Sequence, residues 1–222
     1  MNDAVSHLEK IASLAPVKKP TNPSDIQETQ FVYCYSQLHY MLVLANSFAG
    51  LVERREILSC QIVARTILES LFKFASAKSS SVVCLQLIYS DAFEEVDKIE
   101  KYTRQDPSYD KGLDIVLDRV RAERDLIATL HPDAGKRINL FNALPREIYR
   151  LLYRLCYHHL SQCTHANYIV AQYTAQGQGP PSDRVDTVRK GLIFATDEAI
   201  ELFQITEPDI REEQKRLFST LK

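Results

Sequence analysis

The stretch PREIYRLLYRLCYHHLSQCTHANYIVAQYT, Pro145 to Thr174, has the periodicity of one long helix. It opens on proline, which suits the first helical turn, and meets no glycine until Gly177. At 100° per residue, Glu147, Arg150, Arg154, His158, Ser161 and His165 fall within about 40° of one line. Leu151, Leu152, Tyr153, Leu155, Cys156, Tyr157, Leu160, Cys163, Ile169 and Val170 occupy nearly every other direction. A helix apolar almost all round is a packed helix. Its single polar stripe then faces either a strip of solvent or an internal pocket, and both readings stay open.

The same kind of run recurs on either side. A short amphipathic helix is expected over Asp3 to Leu14, followed by an extended spacer holding Pro16, Pro20 and Pro23. Ser24 with Gln27 reads as a capping box for a first long helix reaching Phe48, with Gly50 marking the turn. Further helices are expected over Val52 to Ala77, Ser81 to Tyr102, Ser108 to Leu130 and Asp183 to Ile205, with a short last one from Pro208. The loop from Asp133 to Leu144 is polar. Long helices with short connections predict antiparallel neighbours. The expected fold is therefore all-α, an antiparallel bundle of about six long helices with short terminal helices. Residues 1–24 form the N-terminal helix and Pro-rich spacer, and 25–222 a single helical-bundle domain. The core should include Leu38, Leu42, Ile62, Ile67, Leu71, Val83, Leu87, Ile115, Leu126, Leu152, Leu155, Leu192 and Ile200.

Composition excludes several classes. The 222 residues are 45% hydrophobic and 25% charged, with a net charge of −2 and only 6 glycines, which describes an ordinary globular chain. That balance gives no long-range attraction to nucleic acid, although the segment Arg119 to Arg154 leans basic. The 5 cysteines, Cys34, Cys60, Cys84, Cys156 and Cys163, lie in apolar helical surroundings with no CxxC, so buried reduced thiols are expected. A basic leader with an apolar core is missing at the N-terminus, and the run Tyr40 to Val52 is too short to cross a bilayer. A cytoplasmic protein without membrane association is expected.

Three polar constellations carry whatever chemistry there is. His158 and His165 stand about 10.5 Å apart along the helix, too far to share one zinc, so no metal and no cofactor is expected. Arg154 and His158, about 6 Å apart in rise, can address one anionic group. A histidine accepting a 2′-hydroxyl proton beside an arginine that stabilises phosphate charge suits RNA cleavage. The same pair also fits a solvated stripe or a contact to a neighbouring helix. Arg65 and Glu69, at i, i+4 in IVARTILES, form either a structural ion pair or part of a pocket.

ARTILES (Ala64 to Ser70), followed by YRLLYRLCYHHLSQCTHANY (Tyr149 to Tyr168), resembles an uncharacterised bacterial all-helical family of unknown function. Its marks are an Arg-x-x-x-Glu helix and a later Tyr-x-x-Leu-Ser-x-x-x-His helix. The resemblance spans Gln30 to Tyr173 and implies that Arg65, Glu69 and His165 share a polar cluster. More distantly the chain resembles HEPN-type helical proteins, marked by Arg, four to six residues, then His. Arg154 to His159 and Arg124 to His131 have that spacing, although Leu155 stands where a polar residue is usual. This resemblance implies a metal-independent endoribonuclease of toxin–antitoxin or antiviral defence type, a homodimer acting on RNA and held by a partner protein or antitoxin. Arg154, His158, His159 and His165 would then be catalytic, with Arg65, Glu69, Tyr157 and Ser161 shaping the pocket. The competing expectation is a non-enzymatic helical interaction or sensor subunit in which the Arg/Glu/His cluster is structural.

Overall fold

A computed structural model describes residues 1–16, 25–105, 112–157 and 182–221, the side chains at 57, 103–105, 112–114, 155–156 and 182–183 excepted. Among the described residues there is no strand, and the chain is an all-α bundle. Its elements are α1 (Asn2–Leu14), α2 (Ile26–Glu53), α3 (Ile57–Ser79), α4 (Ser81–Gln105), α5 (Gly112–Leu130), α6 (Leu140–Ala143) and α7 (Glu147–Leu152). A π-helical turn (Tyr153–Tyr157) follows α7 directly, and α8 (Ser182–Leu202) and α9 (Pro208–Ser219) complete the described chain.

Helix α3 is the centre, packed against α2, α4 and α8. Ile67, Leu68, Leu71, Phe72 and Phe74 are fully buried on it, which is why a helix apolar in most directions is stable here. Helix α8 comes in closely at Gly191, where a Cβ would stand 3.1 Å from Leu68 Cδ2. Helix α1 packs on α2, α8 and α9, and its Ala4, Val5, Leu8, Ile11 and Ala12 belong to the main core. Two smaller apolar clusters, one of Ala92, Val96, Leu117 and Val120 and one of Leu85, Ile127 and Ala134, hold α5 to α4.

The helix ends depart from expectation in two places. Asp25, not Ser24, caps α2, its carboxylate accepting from the amides of Gln27 and Glu28 at 2.9 and 3.1 Å. Gly50 does not stop the helix. Leu51 and Val52 pack on the core and carry it on to Glu53, and the chain turns at Arg54 and Arg55, the latter at φ 58°. Ser80 Oγ does cap the next helix, accepting from the Val83 amide at 3.4 Å.

Of the expected core, Leu38, Ile67, Leu71, Leu87, Leu192 and Ile200 are buried, and Leu42, Val83 and Leu152 pack partly on the core. Ile62, Ile115 and Leu126 are exposed instead, by 45, 75 and 46%. Ile62 lies on the outward face of α3, whereas Ile115 and Leu126 face a groove beside α5. The side chain of Leu155 lies outside the described residues. Cys34, Cys60 and Cys84 are buried and free, and burial pushes the Cys60 and Cys84 thiols up to about 11 and about 12.

Candidate functional site

Helix α3 sets Arg65, Glu69 and Lys73 four residues apart on one half-buried face. Helix α7 and the π turn bring Tyr153 and Tyr157 over it. Tyr157 Oη donates to Glu69 Oε2 at 3.2 Å, and the Arg65 guanidinium lies 5.5 Å from the centre of the Tyr157 ring. The other Glu69 oxygen faces Lys73 Nζ at 3.3 Å, and Lys73 also donates to Asp91 of α4 at 3.0 Å. Both Glu69 oxygens are therefore engaged by donors. Below them Tyr153 and Tyr157 stack at 4.6 Å, each against Phe72.

The electrostatics follow from that packing. Burial pushes the Tyr157 and Tyr153 hydroxyls up, Arg65 pulls the other way (at Tyr157 through a side-chain hydrogen bond), and the negative charge of Glu69 adds to the rise. Burial pulls Lys73 down, but Asp91 and Glu69 outweigh it and hold the ammonium above its ordinary value. Both tyrosine hydroxyls and the lysine are thus kept protonated, and Tyr157 and Lys73 donate to fixed carboxylates.

Arg154 lies elsewhere. It is exposed, its guanidinium 5.0 Å from the centre of the Phe141 ring, and among the described residues it pairs with no carboxylate. Glu147 is also exposed and pairs at 3.5 Å with the half-buried Arg150. The described part of the polar stripe therefore faces solvent. Nor is α7 packed all round, since Ile148 and Leu151 are 39 and 47% exposed while Tyr149 is fully buried. Tyr153 and Tyr157, four apart along the π turn, both reach Phe72. His158, His159, Ser161 and His165 lie outside the described residues, so the structure brings together Arg65, Glu69 and Tyr157 and leaves Arg154 apart from them.

A second polar node has no counterpart in the sequence reading. Glu198 of α8, only 4% exposed, accepts from Tyr149 Oη at 2.6 Å, pairs with Lys78 and stands 3.4 Å from Arg146. Lys78 also pairs with Glu201. Tyr149 was visible as part of the tyrosine motif, but Glu198 lies 49 positions from Tyr149 and 120 from Lys78, and no local spacing marks them. The node fastens α7 and the end of α3 to α8.

Among the described residues no group of three His, Cys, Asp or Glu side chains is placed to hold a metal ion, and no helix is long and apolar enough to cross a membrane. No protein-family model, curated protein or solved structure matches the chain.

Proposed function

We propose that this chain is a non-enzymatic helical interaction or sensor subunit, with the Arg65–Glu69–Tyr157 cluster as the clasp that holds the π turn on α3. One observation carries this reading: both oxygens of Glu69 are already taken, by Tyr157 and by Lys73. A carboxylate whose two oxygens are both engaged acts as a fixed acceptor, whereas a general base needs an oxygen open to substrate. Its partner would be another protein, and its compartment the cytoplasm. The test compares wild type with Arg65→Ala, Glu69→Gln and Tyr157→Phe, each purified, incubated with total RNA and melted. The expected result is intact RNA throughout and lower melting temperatures in the variants. RNA cut by the wild type and spared by folded variants would overturn it.

A second reading is favoured by Arg154, exposed on the Phe141 ring with no carboxylate partner among the described residues. An arginine so placed suits a phosphate. This is the HEPN-like reading: a metal-independent endoribonuclease of toxin–antitoxin or defence type, dimeric, with Arg154 holding phosphate charge and His158, His159 or His165 moving the proton. Induction in a bacterial host, beside Arg154→Ala, His158→Ala and His165→Ala, decides it. Toxicity and RNA fragmentation lost in all three variants support the nuclease, and intact RNA with normal growth removes it.

A further inference from the structure

A groove of about 630 Å³ lies between α2, α4 and α5, lined by none of Arg65, Glu69 and Tyr157 and linked to that cluster through the Lys73–Asp91 pair. Its walls are apolar, with Val32, Leu85, Ile88, Val120 and Ile127 among them. On its α5 side Ile115, Val116, Leu126 and Leu130 are exposed by 75, 42, 46 and 43%. Large side chains clustered in this way on one helix mark a surface that binds something.

The charges of the groove say what. Asp91, Glu95 and Glu123 line it against a single guanidinium, Arg119, with His131 at one end. Asp91 is engaged by Lys73, but among the described residues Glu95 and Glu123 make no ion pair. Tyr33 also lines the groove, and its hydroxyl is buried with no hydrogen-bond partner among the described residues. Burial holds that hydroxyl protonated, and leaving it unsatisfied costs about 1–3 kcal/mol. An apolar cleft with excess carboxylates and an unengaged oxygen is complementary to an apolar body carrying positive charge.

We propose that the α2/α4/α5 groove is a binding site for amphipathic organic cations. The apolar body covers the exposed face of α5, and its positive group sits among Glu95, Glu123 and Tyr33. Occupancy of this groove does not depend on whether the Arg65 cluster is structural or catalytic.

The test uses two ions of the same shape and opposite charge, tetraphenylphosphonium and tetraphenylborate, titrated into the full chain by calorimetry. The phosphonium should bind one per chain, and the borate at least about tenfold more weakly, a difference of about 1.4 kcal/mol. The double variant Glu95→Gln/Glu123→Gln should weaken the phosphonium about tenfold on the same scale. Leu126→Lys, at an exposed position, should abolish phosphonium binding without lowering the melting temperature. Equal binding of both ions, phosphonium binding unchanged in these variants, or no binding at all would overturn the proposal. So would a concentration-dependent dimer lost in Leu126→Lys, because the groove would then be covered by a second copy.

Discussion

Tyr157 Oη donates to Glu69 Oε2 at 3.2 Å across 88 positions of sequence. This bond ties the π turn to the central helix, and Lys73 extends it through Asp91 to α4. The consecutive helices α3 and α4 and the distant π turn thus converge on one carboxylate side chain and its lysine neighbour.

Tyr157→Phe should keep the ring stack on Tyr153 and Phe72 while deleting that bond. A loss of about 1.5 kcal/mol is expected, the low end for a hydrogen bond to a charged group, since 3.2 Å is long for a hydroxyl donor. Tyr157→Ala removes the ring as well and should cost about 3 kcal/mol. Denaturant unfolding reads both values. A Tyr157→Phe variant as stable as the wild type would mean that the hydroxyl bond adds nothing to the clasp.

At the Glu198 node the charges are more deeply buried, so pairing decides more. Lys78→Met should cost about 3–5 kcal/mol, because it leaves the Glu198 carboxylate without its closest cation. Glu198→Gln keeps an acceptor for Tyr149 but leaves Lys78 facing Glu201 alone. The double variant should be less destabilised than the sum of the two, as groups that share one interaction are not additive. Additivity in the four-member cycle would show that Lys78 and Glu198 do not depend on each other.

Much of the bundle was legible in the sequence, because long apolar periodicity broken by prolines leaves little but helices to pack. The details that escaped have identifiable causes. Asp25 adjoins Ser24, and either side chain is a good cap, so only the backbone geometry distinguishes them. Gly50 is a weak stop, and tertiary packing of Leu51 and Val52 overrides it. The π turn carries no proline or glycine to announce it. At the candidate site, Arg65 and Glu69 were visible from their i, i+4 spacing and Tyr157 from its motif; Lys73 stands one further i, i+4 step along α3 and was open to the same reading, whereas Asp91 and Glu198 join their networks through space alone.

Helix α3 shows the same limit in one comparison. Ile62 and Ile67 look equivalent in a mostly apolar stretch, yet Ile62 is 45% exposed and Ile67 fully buried. Ile67→Ala should therefore cost about 2–5 kcal/mol, the range for a large core side chain cut to alanine. Ile62→Ala should stay within about 0.5 kcal/mol of wild type, as exposed substitutions do. Equal losses in thermal unfolding would place Ile62 against a surface other than solvent.

His7 gives the fold a pH dependence with a definite sign. Gln214 is oriented by donating its amide to Ile193 O at 3.0 Å, while its Oε1 accepts from Thr196 at 2.9 Å. That oxygen lies 2.8 Å from His7 Nε2, so the neutral ring carries its hydrogen there. Burial holds the His7 pKa below its ordinary 6.5, against the opposing pull of Glu213, 3.4 Å from Nδ1. The unfolded chain therefore takes up a proton more readily than the folded one. The stability this group contributes is present above pH 6.5 and is lost as pH falls through 6.5 towards the depressed folded value. The melting temperature should decline on acidification in that window, and His7→Gln, which cannot titrate, should flatten the decline. The carboxylate of Asp3, held near 2 chiefly by its hydrogen bond from Arg189, acts in a separate window below 3.8. An unchanged slope near neutrality in His7→Gln would assign the acid sensitivity to other groups and leave the α1 to α9 contact pH-independent.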